Sequence, residues 1–298
     1  METMDITVVD APQTVLGEGP MWSAREGVLY WIDIVGKRLL RLRPETGQVD
    51  VRELPYAPSA VIPRANGGLL LVTKKGMATL RFDEPELHTV KVPLVDFSKE
   101  VFNDGKCDAL GRLWIGTRDL LVSGPQGHLF RMDADFSMHR HGSGYVVSNG
   151  IAFGPDGRVL YHVDSRPGRI DAYDFDVASA TLSNRRVFRD YASLGGAATI
   201  AAIPDGCTVD REGGLWVAEV GDWHIRRYTP DGRLDRSIRL PVQRPTSVMF
   251  GGPDLATLYV TSMRFHLTEE QLAQQPLAGS LLQLDVGVRG RPEHLFAG

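Results

Sequence analysis

The chain has 298 residues, of which 43% are hydrophobic, and a formal net charge of −4. It has no basic run or basic-aromatic interleaving, which argues against a nucleic-acid partner, and no apolar stretch near the roughly 20 residues that span a bilayer. Its first ten residues lack an apolar segment, so we expect no signal peptide and a soluble cytoplasmic protein, as a monomer or small homo-oligomer. Two cysteines, Cys107 and Cys207, are too few for a disulfide framework, and we expect both to pack in inner strands.

A short apolar run that ends on a small or acidic polar residue occurs six times along the chain. It reads LYWID at 29–33, LLLVT at 69–73, LWIGT at 113–117, LYHVD at 160–164, LWVAE at 215–219 and LYVTS at 258–262. The leading leucines are separated by 40, 44, 47, 55 and 43 residues. A period of roughly 40–50 residues is typical of propeller blades.

Each repeat has the composition of four short strands. A segment before the leucine, the leucine run itself, a second alternating run and a final strand are divided by turns rich in Gly, Pro, Asp and Asn. Six such repeats predict an all-β, six-bladed β-propeller that occupies residues 1–298 as a single domain. We expect residues 6–9 to pair with the last blade and close the ring, and one helix at 268–275 with Thr268 as its cap.

Four polar residues occupy nearly the same position in four different repeats, ten or eleven residues before the leading leucine: Glu18, Asn103, Asn149 and Asp205. Equivalent positions of a propeller lie on one ring, so these side chains should converge at one mouth of the central channel. Blades two and six place Ser59, Thr246 and Ser247 at similar offsets. Oxygen ligands of this kind suit Ca²⁺, Mg²⁺ or Mn²⁺ better than a structural zinc. The alternative is that NDG, SNG and PDG are ordinary turn sequences.

The histidines give no catalytic pattern. We expect His139 and His141 in a solvated turn after the second run of blade three, and His162 in the core of a blade strand. The chain has no GxSxG elbow, HExxH helix or phosphate-binding loop, so serine-hydrolase, zincin and nucleotide chemistry are unsupported.

Several motifs, in this order, resemble the senescence marker protein/gluconolactonase/regucalcin-like family, which includes bacterial sugar lactonases. They are LGEGPMW at 16–22, FNDGKCDxxGRxWxGT at 102–117, SNG at 148–150, PDG at 204–206, GGPDLATLYVT at 251–261 and QPLAGSL at 275–281. The resemblance covers essentially the whole chain. It implies a six-bladed propeller that binds one divalent ion, with Ca²⁺ favoured over Zn²⁺, Mn²⁺ or Mg²⁺, and that hydrolyses a small-molecule lactone.

The resemblance also assigns roles to the four ring residues. Glu18, Asn149 and Asp205 match the family's metal ligands, and Asp205 also matches its general base. Asn103 matches a residue that contacts the substrate near the metal. Water would attack a carbonyl polarised by the ion while Asp205 accepts the proton.

Two departures from the family's sugar lactonases leave the substrate open. Val101 stands where they commonly have arginine, and GTRDLLVSGPQG at 116–127 lacks the acid that contacts sugar hydroxyls. Arg118 or Asp119 could replace these partners, or residues 120–122 could form an apolar lid. The substrate is then a sugar lactone or a less polar lactone, ester or cyclic amide, possibly in a biosynthetic pathway.

Two further alternatives stay open. The small-residue segment 191–203, just before Asp205, is either a lid over the channel mouth or a variable surface loop. The whole chain could also be a metal-binding propeller without catalysis, because propellers are common scaffolds for binding.

Overall fold

The computed structural model describes residues 5–191 and 202–298, which form six four-stranded antiparallel sheets. Blades one and two comprise β2–β5 (Gly17–Ser23, Val28–Asp33, Arg38–Arg43 and Gln48–Glu53) and β6–β9 (Pro58–Pro63, Leu69–Thr73, Gly76–Leu80 and His88–Val90). Blades three and four comprise β10–β13 (Glu100–Cys107, Leu113–Asp119, Gly127–Met132 and Met138–Tyr145) and β14–β17 (Ser148–Phe153, Val159–Asp164, Arg169–Asp176 and Thr181–Asp190). Blade five comprises β18–β21 (Ile203–Val209, Leu215–Val220, His224–Tyr228 and Leu234–Arg239), and blade six comprises β22 (Pro245–Gly251), β23 (Thr257–Ser262), β24 (Leu282–Asp285) and β1 (Ile6–Val8).

The first strand of each blade forms the inner ring of the molecule. β2, β6, β10, β14, β18 and β22 each contact the corresponding strand of the next blade, and β22 returns to β2. Burial falls outwards from this ring: β6, β14 and β22 are buried along their whole length, whereas β5 has no buried residue and β21 has only one. The fold is therefore the predicted six-bladed β-propeller.

The ring is closed by the N-terminal strand. β1 pairs antiparallel with β24, so that Ile6 lies opposite Leu284 and Val8 opposite Leu282. This pairing confirms the expectation for residues 6–9. It joins the two ends of the chain in one sheet and covers what would otherwise be an open strand edge.

The six leading leucines begin or nearly begin the second strand of their blades, and each is at most 1% exposed. A recurring tether holds two of these strands to the preceding turn. Asp108 accepts a hydrogen bond from Trp114 Nε1 at 2.9 Å, and Asp210 accepts one from Trp216 Nε1 at 2.8 Å. The repeated motif thus supplies both the blade core and its internal anchor.

The remaining local expectations have mixed outcomes. Helix α1 spans Glu269–Gln274 and is capped by Thr268 in a capping box, as predicted. Cys107 and Cys207 are buried in inner strands, also as predicted. No helix in the described part of the chain is long and apolar enough to cross a membrane.

The expectation for His139 and His141 was wrong. Both lie inside β13, because the turn falls earlier, where Asp133 and Phe136 close it through backbone hydrogen bonds. His139 pairs with Asp133 at 3.1 Å, and the ring of His141 packs 4.7 Å from that of Trp114. His162, by contrast, is fully buried in β15 as expected, and its Nε2 lies 2.6 Å from Ser148 Oγ.

Candidate functional site

Every inner strand has an irregularity in its pairing at the same level of the ring. The register shifts between Glu18 and Met21 in β2, and between Phe102 and Gly105 in β10. Equivalent shifts occur in β6, β14, β18 and β22. Such β-bulges re-aim a side chain and occur preferentially beside active sites. The polar residues of the predicted ring lie at these bulges.

Glycines allow the bulged strands to approach one another. A Cβ on Gly206 would lie 2.0 Å from Ser247 Oγ, and one on Gly150 would lie 2.5 Å from the carbonyl oxygen of Asp205. Gly19 has φ +51°, a left-handed conformation that glycine adopts without strain. The glycines after Asn149 and Asp205 are therefore packing requirements of the inner ring, and the glycine after Glu18 is favoured by its backbone conformation.

The bulges surround one mouth of the channel, where a cavity of about 490 Å³ opens. The four predicted ring residues all line it, together with Arg118 and the blade-two and blade-six residues Ser59 and Thr246. Apolar walls come from residues on four blades: Ile34, Phe102, Val122, Val220 and Met263. The structure thus brings together Glu18 and Asp205, which are 187 positions apart in sequence.

Glu18, Asn149 and Asp205 form the polar group of this cavity. The amide nitrogen of Asn149 donates to Asp205 Oδ1 and, at 3.0 Å, to Ser165 Oγ. Asn149 and Asp205 are only 7% and 8% exposed. Burial, assisted by the charge of Asp104, raises the pKa of Asp205 to about 8. Burial and then the charge of Asp205 also raise the pKa of Glu18.

No lysine or arginine in residues 5–191 and 202–298 forms an ion pair with Glu18 or Asp205. Two desolvated carboxylates without a cationic side chain are costly to keep charged. The donor set therefore fits a divalent cation that prefers oxygen ligands. Rotation of the Asn149 amide by 180° would exchange its nitrogen for its oxygen and present a third oxygen to such an ion.

The described residues contain no group of three or more His, Cys, Asp or Glu side chains that could hold a metal ion. The candidate set has two carboxylates and one amide. An ion held there would keep part of its coordination shell open for water or substrate, as catalytic metal sites generally do.

Asn103 is held at the cavity wall rather than free in it. Its amide nitrogen donates to the carbonyl oxygen of Ser148 at 3.0 Å, across the boundary between blades three and four. The neighbouring residue, Asp104, was not singled out from the sequence. It adds a third negative charge near Glu18 and Asp205, and Lys106 partly offsets it. The NDG triplet was the available signal, but its aspartate was read as part of a turn.

The blade-three loop contributes differently from what was expected. Arg118 lines the cavity, and its Nη1 donates to the carbonyl oxygens of Asp119 and Leu120 at 2.9 and 3.3 Å. The carboxylate of Asp119 instead accepts from the backbone nitrogen of Ser123 at 2.6 Å, which closes the loop. Of the apolar residues 120–122, only Val122 lines the cavity. Asp119 and the leucines are therefore not cavity residues.

Val101 is 2% exposed and lies opposite Arg118 in the β10–β11 pairing. It does not line the cavity. Three basic residues that the sequence analysis did not single out do line it, Lys74, Arg166 and Arg244. The possible lid at 191–203 falls mostly on residues 192–201, which lie outside the described residues; Ile203 lines the cavity.

Comparison with known proteins places this geometry in a family. A family model described as the SMP-30/Gluconolactonase/LRE-like region matches residues 16–264. A protein of Pseudomonas putida named 6-deoxy-6-sulfogluconolactonase is 36% identical over 96% of both chains. Regucalcin of Gallus gallus is 32% identical over the full length of both chains.

Among solved structures, the calcium-binding protein regucalcin from Agrobacterium tumefaciens str. C58 superposes with a TM-score of 0.90. It is 27% identical, and the match covers 99% of this chain and 98% of that one. Sequence and structure agree over the whole propeller, including the strands that carry the cavity. The chain belongs to the SMP-30/gluconolactonase/LRE-like family.

Proposed function

We propose that the protein is a divalent-metal-dependent lactone hydrolase whose active site is the cavity at the channel mouth. The observation that carries the proposal is the meeting of Glu18, Asn149 and Asp205, where burial raises the pKa of both carboxylates. The relative named 6-deoxy-6-sulfogluconolactonase supports the reaction class. The relative described as a calcium-binding protein supports the choice of a divalent ion and favours Ca²⁺.

Glu18, Asn149 and Asp205 would hold the ion, which supplies Lewis-acid polarisation of the lactone carbonyl. Asp205 is the proposed general base. A carboxylate that keeps one oxygen free beside the ion can accept a proton from the attacking water. The water oxygen bonds to the acyl carbon, the acyl carbon–ring oxygen bond breaks, and the products are a carboxylate and a hydroxyl group.

The other cavity residues orient the reactants. The Asn149 amide nitrogen donates to one oxygen of Asp205. With the amide rotated to turn its oxygen to the ion, Asp205 would use one oxygen for the ion and keep the other for a proton. Asn103 and Arg118 are the proposed substrate contacts, because both present polar groups to the cavity. The hydrogen bond from Asn103 to the carbonyl oxygen of Ser148 fixes the Asn103 side chain, so its amide would form a hydrogen bond with the substrate from a fixed position.

Two substrate classes fit, and each has its own support. A cyclic ester of a polyhydroxy acid agrees with the polar floor and with the relative's name. A less polar lactone agrees with the apolar wall of Phe102, Val122 and Met263. Values of kcat/KM for a panel of aldonolactones and aliphatic lactones distinguish the two classes. A site built to bind hydroxyl groups should have a much lower kcat/KM for a lactone that lacks them.

Two variants test the assigned roles. Asp205→Ala should lower kcat by about 10³-fold, the usual contribution of a positioned general base, while Glu18→Gln should mainly raise the metal concentration needed for half-maximal activity. Asp156→Ala is the matched control, because Asp156 also lies in a Pro-Asp-Gly sequence but on an exposed turn. Near wild-type hydrolysis by Asp205→Ala would refute the assignment. Metal binding without turnover of any lactone would instead favour a binding protein.

A further inference from the structure

The rim of the cavity is chemically divided. At the end of the second strand in each blade, one or two residues beyond the repeated apolar motif, a side chain reaches the cavity edge. In blades two, three and four these residues are Lys74, Arg118 and Arg166. In blades five, six and one the residues at this level are Val220, Met263 and Ile34. At the ends of the second strands, blades two to four therefore carry cations and blades five, six and one carry apolar side chains. Arg244, which precedes the inner strand of blade six, is a further cation that lines the cavity.

The three cations are close enough to affect one another. Burial and then the charge of Arg118 lower the pKa of Lys74. Burial lowers the pKa of Arg118, and the charge of Arg166 lowers it further while Asp119 opposes the shift. Like charges that gather at a cavity edge repel, so their placement has a cost that an anionic ligand would relieve.

Within residues 5–191 and 202–298, none of the three cations forms an ion pair. Two arginines elsewhere in the described part of the chain, Arg41 and Arg227, are buried and neutralised by carboxylates. Arg41 pairs with Asp50 and Asp83 at 2.8 and 2.7 Å, and Arg227 pairs with three carboxylates. Lys74 and Arg118 are partly buried at the cavity edge without the carboxylate partners that neutralise Arg41 and Arg227.

The acids of the cavity floor do not account for the cations. The main charge effects on the pKa of Glu18 come from Asp205 and Asp104, and the main one on the pKa of Asp205 comes from Asp104. The carboxylate of Asp119, which adjoins Arg118 in sequence, does not line the cavity and is bound by Ser123 in its own loop. Arg118 uses only one terminal nitrogen for its two carbonyl contacts, so the rest of its guanidinium keeps free donors.

We propose that Lys74, Arg118 and Arg166 form an anion subsite, and that the substrate is a lactone bearing a carboxylate, sulfonate or phosphate group away from its ring carbonyl. The proposal rests on the proposed lactonase function and names its substrate class. Guanidinium groups bind planar or tetrahedral oxyanions through paired hydrogen bonds, and lysine adds a compact charge. The anionic group would lie on blades two to four while the carbonyl lies over Asp205.

Matched substrates test the subsite. Glucono-1,5-lactone and 6-phosphoglucono-1,5-lactone differ only by a phosphate, and glucono-1,4-lactone and glucaro-1,4-lactone differ only by a carboxylate. For at least one pair, wild-type kcat/KM should be 30-fold or more higher for the anionic member in low salt, and this preference should shrink as ionic strength rises. Equal values within both pairs, with turnover present, would overturn the subsite and leave the lactonase proposal intact.

Variants locate the subsite. Lys74→Met, Arg118→Met and Arg166→Gln should each lower the ratio of anionic to neutral kcat/KM at least tenfold. Arg166 is exposed, so its variant is the least able to disturb folding. Lys75→Met is the control, because Lys75 adjoins Lys74 but does not line the cavity, and its ratio should equal that of the wild type. An unchanged ratio in all three rim variants would refute the assignment of these residues.

If no lactone is hydrolysed, the proposed function fails, and the anion subsite is then tested by binding measurements instead. Calorimetry with gluconate and 6-phosphogluconate then measures the anion preference without turnover. The wild type should bind 6-phosphogluconate at least tenfold more tightly, and a Lys74→Met/Arg118→Met double variant should lose that difference. Equal or undetectable binding of the two acids would overturn the subsite as well.

Discussion

The stability of the metal-free protein should depend on pH through Asp205. Its carboxyl titrates near 3.8 when solvated, and burial raises its pKa to about 8 in the folded state. Between these values the native state binds more protons than the unfolded state, so stability falls as pH rises and levels off above pH 8. Three pH units at 1.36 kcal/mol each amount to about 4 kcal/mol between pH 5 and pH 8. Because burial also raises the pKa of Glu18, the measured dependence of stability on pH reflects the titration of both carboxyl groups together.

Asp205→Asn keeps the shape of the side chain and removes the titration. In chelator-treated protein, the free energy of unfolding of the variant relative to wild type should therefore rise by about 4 kcal/mol from pH 5 to pH 8. Urea unfolding at half-unit pH steps measures it, with Asp156→Asn as the exposed control. Parallel profiles for wild type and Asp205→Asn would refute the reasoning. Added divalent ion should raise the free energy of unfolding of the wild type but not that of Asp205→Asn, since binding stabilises only a protein that retains the site.

Two further substitutions test the scaffold. Gly206→Ala should lower kcat/KM at least tenfold, because its Cβ would lie 2.0 Å from Ser247 Oγ and 2.8 Å from Ser247 Cα, so a backbone strand must move; Gly124→Ala, with no atom within 4 Å, should match wild type in the same assay. Asp210→Ala should destabilise folding by about 3 kcal/mol in urea unfolding, because it leaves the buried Arg227 short of a partner; a loss below about 1 kcal/mol would contradict this.

The repeat predicted the architecture and much of the site because both follow the same geometric rule. Equivalent positions of a closed ring lie at one level, so Glu18, Asn103, Asn149 and Asp205 could be placed together before any coordinates. The same spacing did not predict the β-bulges that turn these side chains towards the cavity. A bulge depends on how neighbouring strands pair, and a single sequence does not contain that pairing.

Residues outside the repeated motif were harder to find. Lys74 and Arg166 follow strand ends, where charged residues are usually solvated, and only the closed ring shows that these ends face one cavity. Asp104 was missed because NDG is also an ordinary turn sequence, whereas in the structure it lies in the β-bulge of β10 between Phe102 and Gly105. The expected turn at His139 and His141 was wrong because the preceding turn closes at residues 133–137, and β13 begins at Met138.

Metal titration of chelated protein tests the central claim most directly. The protein would be treated with chelator, transferred to metal-free buffer, and assayed for lactone opening while free Ca²⁺, Mg²⁺, Mn²⁺ or Zn²⁺ is returned in separate series. If Glu18, Asn149 and Asp205 are the ligands, hydrolysis should be lost on chelation and should recover with one ion bound per chain. The hydrolytic activity of Asp205→Asn should not recover. Full hydrolysis by the chelated wild-type protein would contradict the account.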